Sequence, residues 1–124
     1  MGKDFMKYDD GKSAADLLPP RALLSVGDVL TYGAKKYDPD NWRKTDSLRR
    51  YYGAAVRHLL AWAAGEDIDE ESGLPALAHA ACCVLFLLEL QLDGTGAEVD
   101  DRSHVVREEA PGYAEVKKAE RGEI

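Results

Sequence analysis

Residues 75–94 read PALAHAACCVLFLLELQLDG. Pro75 suits the first turn of a helix, and no other proline or glycine interrupts the run before Gly94. Asp93-Gly94 supplies a stop. A helix from Pro75 to Leu92 would be about 27 Å long at 1.5 Å per residue. It is apolar on most sides, so it belongs at the centre of a bundle. The apolar run from Leu74 to Leu88 spans about 15 residues, short of the ~20 that a transmembrane helix needs. His79, Cys82, Cys83 and Phe86 fall on one face, at i, i+3, i+4 and i+7.

Upstream lies an acidic knot. Glu66, Asp67, Asp69, Glu70 and Glu71 occupy five of six positions, and Ser72-Gly73 ends the connection. Before it, Leu48, Tyr52, Ala55, Leu59 and Trp62 step by 4, 3, 4 and 3, which predicts a second helix with one apolar face. Those five cluster within about 40° of one direction at helical pitch. Arg57 then points the opposite way, and His58 lies roughly 80° off the centre, at the stripe's edge. If this helix continued past Gly65, Glu66 would return to the buried face. Asp46 or Ser47 is the expected cap. A third helix starts near Pro19-Pro20, with Leu23, Val26, Leu30, Ala34 and Tyr37 on one face. Between the two, YDPDNWRKTDS (Tyr37–Ser47) reads as a loop.

The expected fold class is all-α: a compact bundle of three main helices, with an irregular N-terminal arm and a charged C-terminal tail. We divide the chain into a helical domain, 1–94, and an extension, 95–124. Three helices make a thin core for so apolar a third helix, so a homo-oligomer, dimer or tetramer, is expected to cover it. The tail offers only Val105, Val106, Tyr113 and Val116 for burial and reads as extended or weakly helical, packed on a partner subunit.

The chain has 124 residues, 45% of them apolar, and a net charge of −7. That is enough for one core without disulfides. Cys82 and Cys83 are adjacent and read as buried, inert thiols of a reducing compartment. The polar N-terminus carries no signal-peptide pattern. A cytoplasmic protein with no membrane contact is expected. The negative charge argues against stable nucleic-acid binding, but its distribution is uneven. Residues 35–57 carry seven basic and three acidic side chains, and residues 66–71 carry five acidic ones. A basic segment followed by an acidic knot suits a polyphosphate held partly by Lys and Arg and partly through metal ions. An unevenly charged, solvated surface is the competing reading.

P-loop, dinucleotide-binding, serine-hydrolase, HExxH and CxxC patterns are all absent, as is a His-Asp dipeptide. Two features remain. The acids of 66–71 can hold a hard cation such as Mg2+ or Mn2+, and His79 can face them from the next helix. Alternatively they simply favour that helix's N-terminus, with His79 as a satisfied core histidine. The second feature is TYGAKKYDPDNWRK (Thr31–Lys44), in which Tyr32, Tyr37 and Trp42 alternate with Lys35, Lys36, Arg43 and Lys44. Stacking plus cationic contact is how a protein holds a nucleotide. An ordinary basic helix end followed by a core tryptophan is the alternative.

In combination, YGAKKY…NW, RHLLAW, GEDIDEESGLP and LAHAAC resemble the phage-type dATP/dGTP diphosphohydrolase domain, a small MazG-like protein of the all-α nucleotide pyrophosphohydrolase kind. The resemblance covers Tyr8 to Leu92. It implies hydrolysis of a purine deoxynucleoside triphosphate to the monophosphate and pyrophosphate, with Mg2+ or Mn2+. By the same resemblance Glu66, Asp69, Glu70 and His79 form the metal cluster, with His58 near it. Glu66, Glu70 and Glu71 are the catalytic carboxylates. Lys35, Lys36, Tyr37, Asn41, Trp42 and Arg43 form the nucleotide-binding segment, and Arg57 is a further substrate candidate. The chain departs from the pattern in two places. MazG-like enzymes carry ExxE and ExxD where this chain has Arg57-His58 and His79. The related pattern reads Leu-Pro-His where this chain has Ala76. A non-catalytic nucleotide-binding or assembly subunit of the same fold is the alternative that Ala76 favours. A purely structural helical adaptor is a third.

Overall fold

Pro20 occupies the first turn of helix α1 (Pro20–Lys36), where its missing N–H costs nothing. Helix α2 spans Leu48–Ala63 and α3 spans Ala76–Leu92. The computed structural model describes residues 4–102 and residue 122, and among these there is no strand. The chain is all-α with three main helices. α3 packs against both α1 and α2. Residues 4–14 form an irregular arm that leads into a short 3-10 turn, Ala15–Leu17. The expectation for the tail beyond residue 102 lies outside the described residues. No described helix is long and apolar enough to cross a membrane.

The core is small. Val26 and Val29 of α1 meet Ala78 and Cys82 of α3, with Leu74, Ala81 and Phe86 around them. The expected face of α1 is only partly used: Val26 is buried, but Leu23, Leu30 and Tyr37 are 42%, 43% and 57% exposed. The face of α2 is also rotated from expectation. Leu48 and Ala55 are buried, while Tyr52, Leu59 and Trp62 remain largely exposed. Tyr51 and His58 turn inward instead, onto Phe86 and His79. Each helix carries two neighbouring apolar rows, and one contact with α3 covers only one row. The periodicity alone does not say which.

α2 does not continue past Gly65. The Glu66 N–H donates to Ala61 O at 3.0 Å and the Gly65 N–H to Trp62 O at 2.9 Å, with Gly65 at φ +93°. This is the six-to-one and five-to-two pairing that closes a helix on a left-handed glycine. Glu66 is therefore exposed and does not return to the buried face. The cap of α2 is also not local. Asp101 accepts the Arg49 N–H at 3.0 Å and the Ser47 hydroxyl. Asp46 pairs with Arg50 instead.

Residues 95–102 belong to the packed unit. The turn Thr95–Val99 lies against α3, and a Cβ on Gly96 would come 3.1 Å from Leu90 O. Together with the Asp101 cap, this carries the folded body to Arg102.

Candidate functional site

The acidic connection is an ordered turn. Asp69 N–H donates to Leu74 O (2.8 Å), Gly73 N–H to Asp69 O (2.7 Å), and Ala76 N–H to Asp67 O (2.9 Å). Ile68 and Pro75 form an antiparallel bridge at its base. The turn sets Asp69, Glu71 and Ser72 beside the start of α3. Asp69 Oδ2 accepts from both the Ser72 N–H and the Ser72 hydroxyl, each at 2.9 Å. Ser72 Oγ is 2.7 Å from His79 Nε2 and also accepts the Leu74 N–H at 3.2 Å. The His79 ring stacks on His58 at 4.7 Å, and the edge of Tyr32 approaches it at 6.3 Å. Helices α1, α2 and α3 thus each contribute one ring to a single cluster.

Burial pushes the Asp69 carboxyl up, but the two Ser72 hydrogen bonds and the neighbouring imidazoles outweigh it and hold it below the ordinary aspartate range. Burial lowers the His58 pKa, and the adjacent His79 lowers it further. Glu71 is held low by its bond to Lys36 Nζ (2.5 Å) and by the Tyr32 hydroxyl. Lys36 is raised by the same bond. Both partners are largely exposed. Water screens the pair, so it contributes little to folding stability. It does tie the end of α1 to the acidic turn.

A groove of about 1330 Å3 runs from this cluster along the α1–α2 connection. Lys36, Tyr37, Asn41, Trp42 and Arg43 line it. Asp69, Glu71, His58 and His79 line it as well, and the Lys36–Glu71 pair joins the two sets. The sequence-expected nucleotide segment and the acidic turn therefore share one concavity. Lys35, Arg57, Glu66 and Glu70 are exposed and do not line it. The five residues implied as a metal cluster do not assemble as one. No three His, Cys, Asp or Glu side chains among the described residues form a group that could hold a metal. The early end of α2 is one reason, because it leaves Glu66 outside the bundle. A second cavity, about 660 Å3, lies against Tyr52, Leu87 and Gln91 and brings together no carboxylate–imidazole cluster.

Trp42 is not an open stacking platform. Its ring stacks on Phe86 at 4.5 Å and 7°, and the Arg43 guanidinium sits 4.3 Å from its centroid. One ring face has room for one such group, so both faces are covered. Arg43 also lies near Asp40 (3.5 Å) and Asp93 (3.7 Å). Tyr37 is 57% exposed, with Lys36 Nζ 5.4 Å from its ring centroid. Cys82 and Cys83 are free and buried, and burial pushes the Cys82 thiol up to about 11, so it is inert as a nucleophile. Ala76 is buried, 2% exposed. Reading the sequence placed Ser72 at the end of the acidic connection and missed its part in the site. Its only signal was position, three residues after Asp69 and seven before His79.

Comparison with known proteins agrees with the motifs. The family described as dATP/dGTP diphosphohydrolase, N-terminal, matches residues 3–102. Those bounds nearly match the continuous stretch of described residues, 4–102, in which Asp101 and Arg102 still make hydrogen bonds. A protein of Salmonella phage PMBT28 named dATP/dGTP diphosphohydrolase is 36% identical over 85 residues. That alignment covers 68% of this chain but 29% of the relative, so the chain spans under a third of that protein's length. No solved structure matches. With the match covering residues 3–102 of the 124, the chain belongs to the dATP/dGTP diphosphohydrolase N-terminal family.

Proposed function

We propose that this domain hydrolyses purine deoxynucleoside triphosphates, dGTP or dATP, to the monophosphate and pyrophosphate. The observation that carries the reading is the single groove lined both by a cationic, aromatic segment, Lys36 to Arg43, and by Asp69, Glu71, His58 and His79, the two sets meeting where Lys36 pairs with Glu71. The relative's name supplies the substrate class. The donor set does not suit a resident metal, because no three ligands converge among the described residues. It does suit Mg2+ or Mn2+ carried in on the triphosphate, since such ions are commonly held by one or two carboxylates plus phosphate oxygens. Bound in this way, the cation neutralises phosphate charge and acts as a Lewis acid.

The chain's own residues have separate roles. Tyr37 and Asn41 contact the nucleoside, and Lys36 takes a phosphate oxygen. Arg43 backs Trp42 and shapes the wall. Once Lys36 turns to phosphate, Glu71 keeps only the Tyr32 hydroxyl and has carboxylate lone pairs left to accept a proton from the water that attacks the α-phosphorus. Asp69, held ionised by Ser72, would hold the cation through a carboxylate oxygen. Glu66 and Glu70 stand on the same turn outside the groove.

The test is a panel of the four dNTPs with Mg2+ or Mn2+, with product separation. Formation of dGMP or dAMP with pyrophosphate is expected. Asp69→Asn and Glu71→Gln should each lower turnover by about 100-fold or more, the scale of general acid–base and charge effects. Glu66→Gln and Glu70→Gln should leave it nearly unchanged. No monophosphate from any dNTP, in folded protein, would sink the enzymatic reading. Ala76, where the related pattern has a histidine, favours a second reading, a nucleotide-binding or assembly subunit without chemistry. Calorimetric binding of dGTP without its consumption would identify that case.

A further inference from the structure

We infer that His79 is a positioning residue for Asp69, acting through Ser72, and not a ligand that faces the groove with Nε2. The inference rests on the proposed hydrolytic site and assigns a role within it. Hydrogen-bond accounting at Ser72 Oγ carries it. A serine hydroxyl has one hydrogen to donate and two lone pairs to accept with. Three groups surround this oxygen besides its own carbon: Asp69 Oδ2 at 2.9 Å, the Leu74 N–H at 3.2 Å and His79 Nε2 at 2.7 Å. Asp69 is a carboxylate, which only accepts, so the one hydroxyl hydrogen goes to it. The Leu74 N–H takes one lone pair. The remaining lone pair faces His79 Nε2, and that contact is attractive only if Nε2 carries a hydrogen.

The chain of donors therefore runs from His79 Nε2–H to Ser72 Oγ, and from Ser72 O–H to Asp69 Oδ2. Oδ2 also holds the Ser72 N–H and is fully engaged. Asp69 Oδ1 has no hydrogen-bond partner among the described residues, and Asp69 lines the groove. The network thus fixes which carboxylate oxygen is offered outward. The two stacked imidazoles are unequal. His79 spends Nε2 on the protein, whereas neither ring nitrogen of His58 has a hydrogen-bond partner among the described residues. If an imidazole touches the substrate or its cation, it is His58.

The experiment uses the full chain labelled with 15N. Imidazole nitrogen shifts, assigned with His58→Gln and His79→Gln, report the tautomer of each ring near neutral pH. His79 is expected as the Nε2–H form in the wild type, with that preference lost in Ser72→Ala. Binding of Mn2+ complexed with a non-hydrolysable dGTP analogue is followed separately by electron paramagnetic resonance, with a thermal melt for each variant. Ser72→Ala and His79→Ala should weaken binding of this complex about tenfold, as loss of a ligand's orienting partner does. Ser72→Thr keeps the hydroxyl and His79→Gln keeps an Nε2–H donor, so both should stay near the wild type. An Nδ1–H tautomer at His79, or His79→Gln losing as much affinity as His79→Ala, would overturn the inference. If wild-type protein binds no Mn2+–nucleotide complex, the cation reading of the site fails. The tautomer measurement then decides by itself whether the relay exists.

Discussion

Asp101 reaches back 52 positions in sequence to accept the Arg49 N–H at the start of α2. A helix start leaves its first N–H groups unpaired, and a side-chain oxygen normally satisfies one from the residue just before. Here a distant carboxylate does it, and Ser47 donates its hydroxyl to the same group. The Ser47 bond is the main cause that holds the Asp101 carboxyl below the ordinary aspartate range. A depressed folded pKa gives stability that is present above the unfolded value, about 4. That stability is lost as pH falls through the lower folded value. Asp101→Ala should therefore lower the melting temperature by a few degrees at pH 7. The gap between variant and wild type should close in strong acid, as circular dichroism melts across pH would show. Neither this cap nor the part of Ser72 in the site was legible in the sequence. Both depend on which segments meet in space, and no local spacing encodes that. Lys36, Asp69 and Glu71 were legible as candidates, because charge type alone marks them for phosphate or cation work.

Helix α3 was the most legible element, and its burial explains why. Its run carries few polar side chains, so most orientations bury something. Leu90 is 2% exposed, whereas Leu92, two residues on, is 72% exposed. Leu90→Ala should cost about 2–5 kcal/mol in chemical denaturation, the range for truncating a buried leucine. Leu92→Ala should cost little. Equal effects would mean that the helix end is packed differently. The other two helices were legible as helices but not in phase. On α2 the inward line is Leu48 and Ala55, which are buried and were expected, with the half-buried Tyr51 and His58 in place of Tyr52, Leu59 and Trp62. That rotation carries His58 from the edge of the stripe onto the His79 ring. A turn of one residue's phase thus separates a peripheral histidine from one at the site. The end of α2 was readable in principle from Ala64-Gly65, since glycine is the usual residue beyond a helix end.

At the scale of the whole molecule, exposed apolar surface stands out. Leu77, Val84 and Leu88 of α3 are 43%, 51% and 46% exposed, and Leu59 and Trp62 of α2 are similar. Leu77, Val84 and Leu88 share one helical face, with Ala81 between them. Contiguous patches of this kind usually mark an association surface. We propose that copies of the chain cover it, as the thin core already suggested from sequence. Sedimentation should show a dimer or tetramer at micromolar concentration, and Leu88→Glu should shift it toward the single chain. A monomer throughout, with no change in the variant, would reject the idea. The bridge between Ile68 and Pro75 has its own consequence at this scale. It closes the acidic turn into a small ring, so Asp69, Glu71 and Ser72 are already ordered before any ligand arrives. Fixing a loose backbone costs about 1–2 kcal/mol of entropy per residue. In this domain that cost falls on folding, where the whole bundle shares it, and little of it is left to weaken binding.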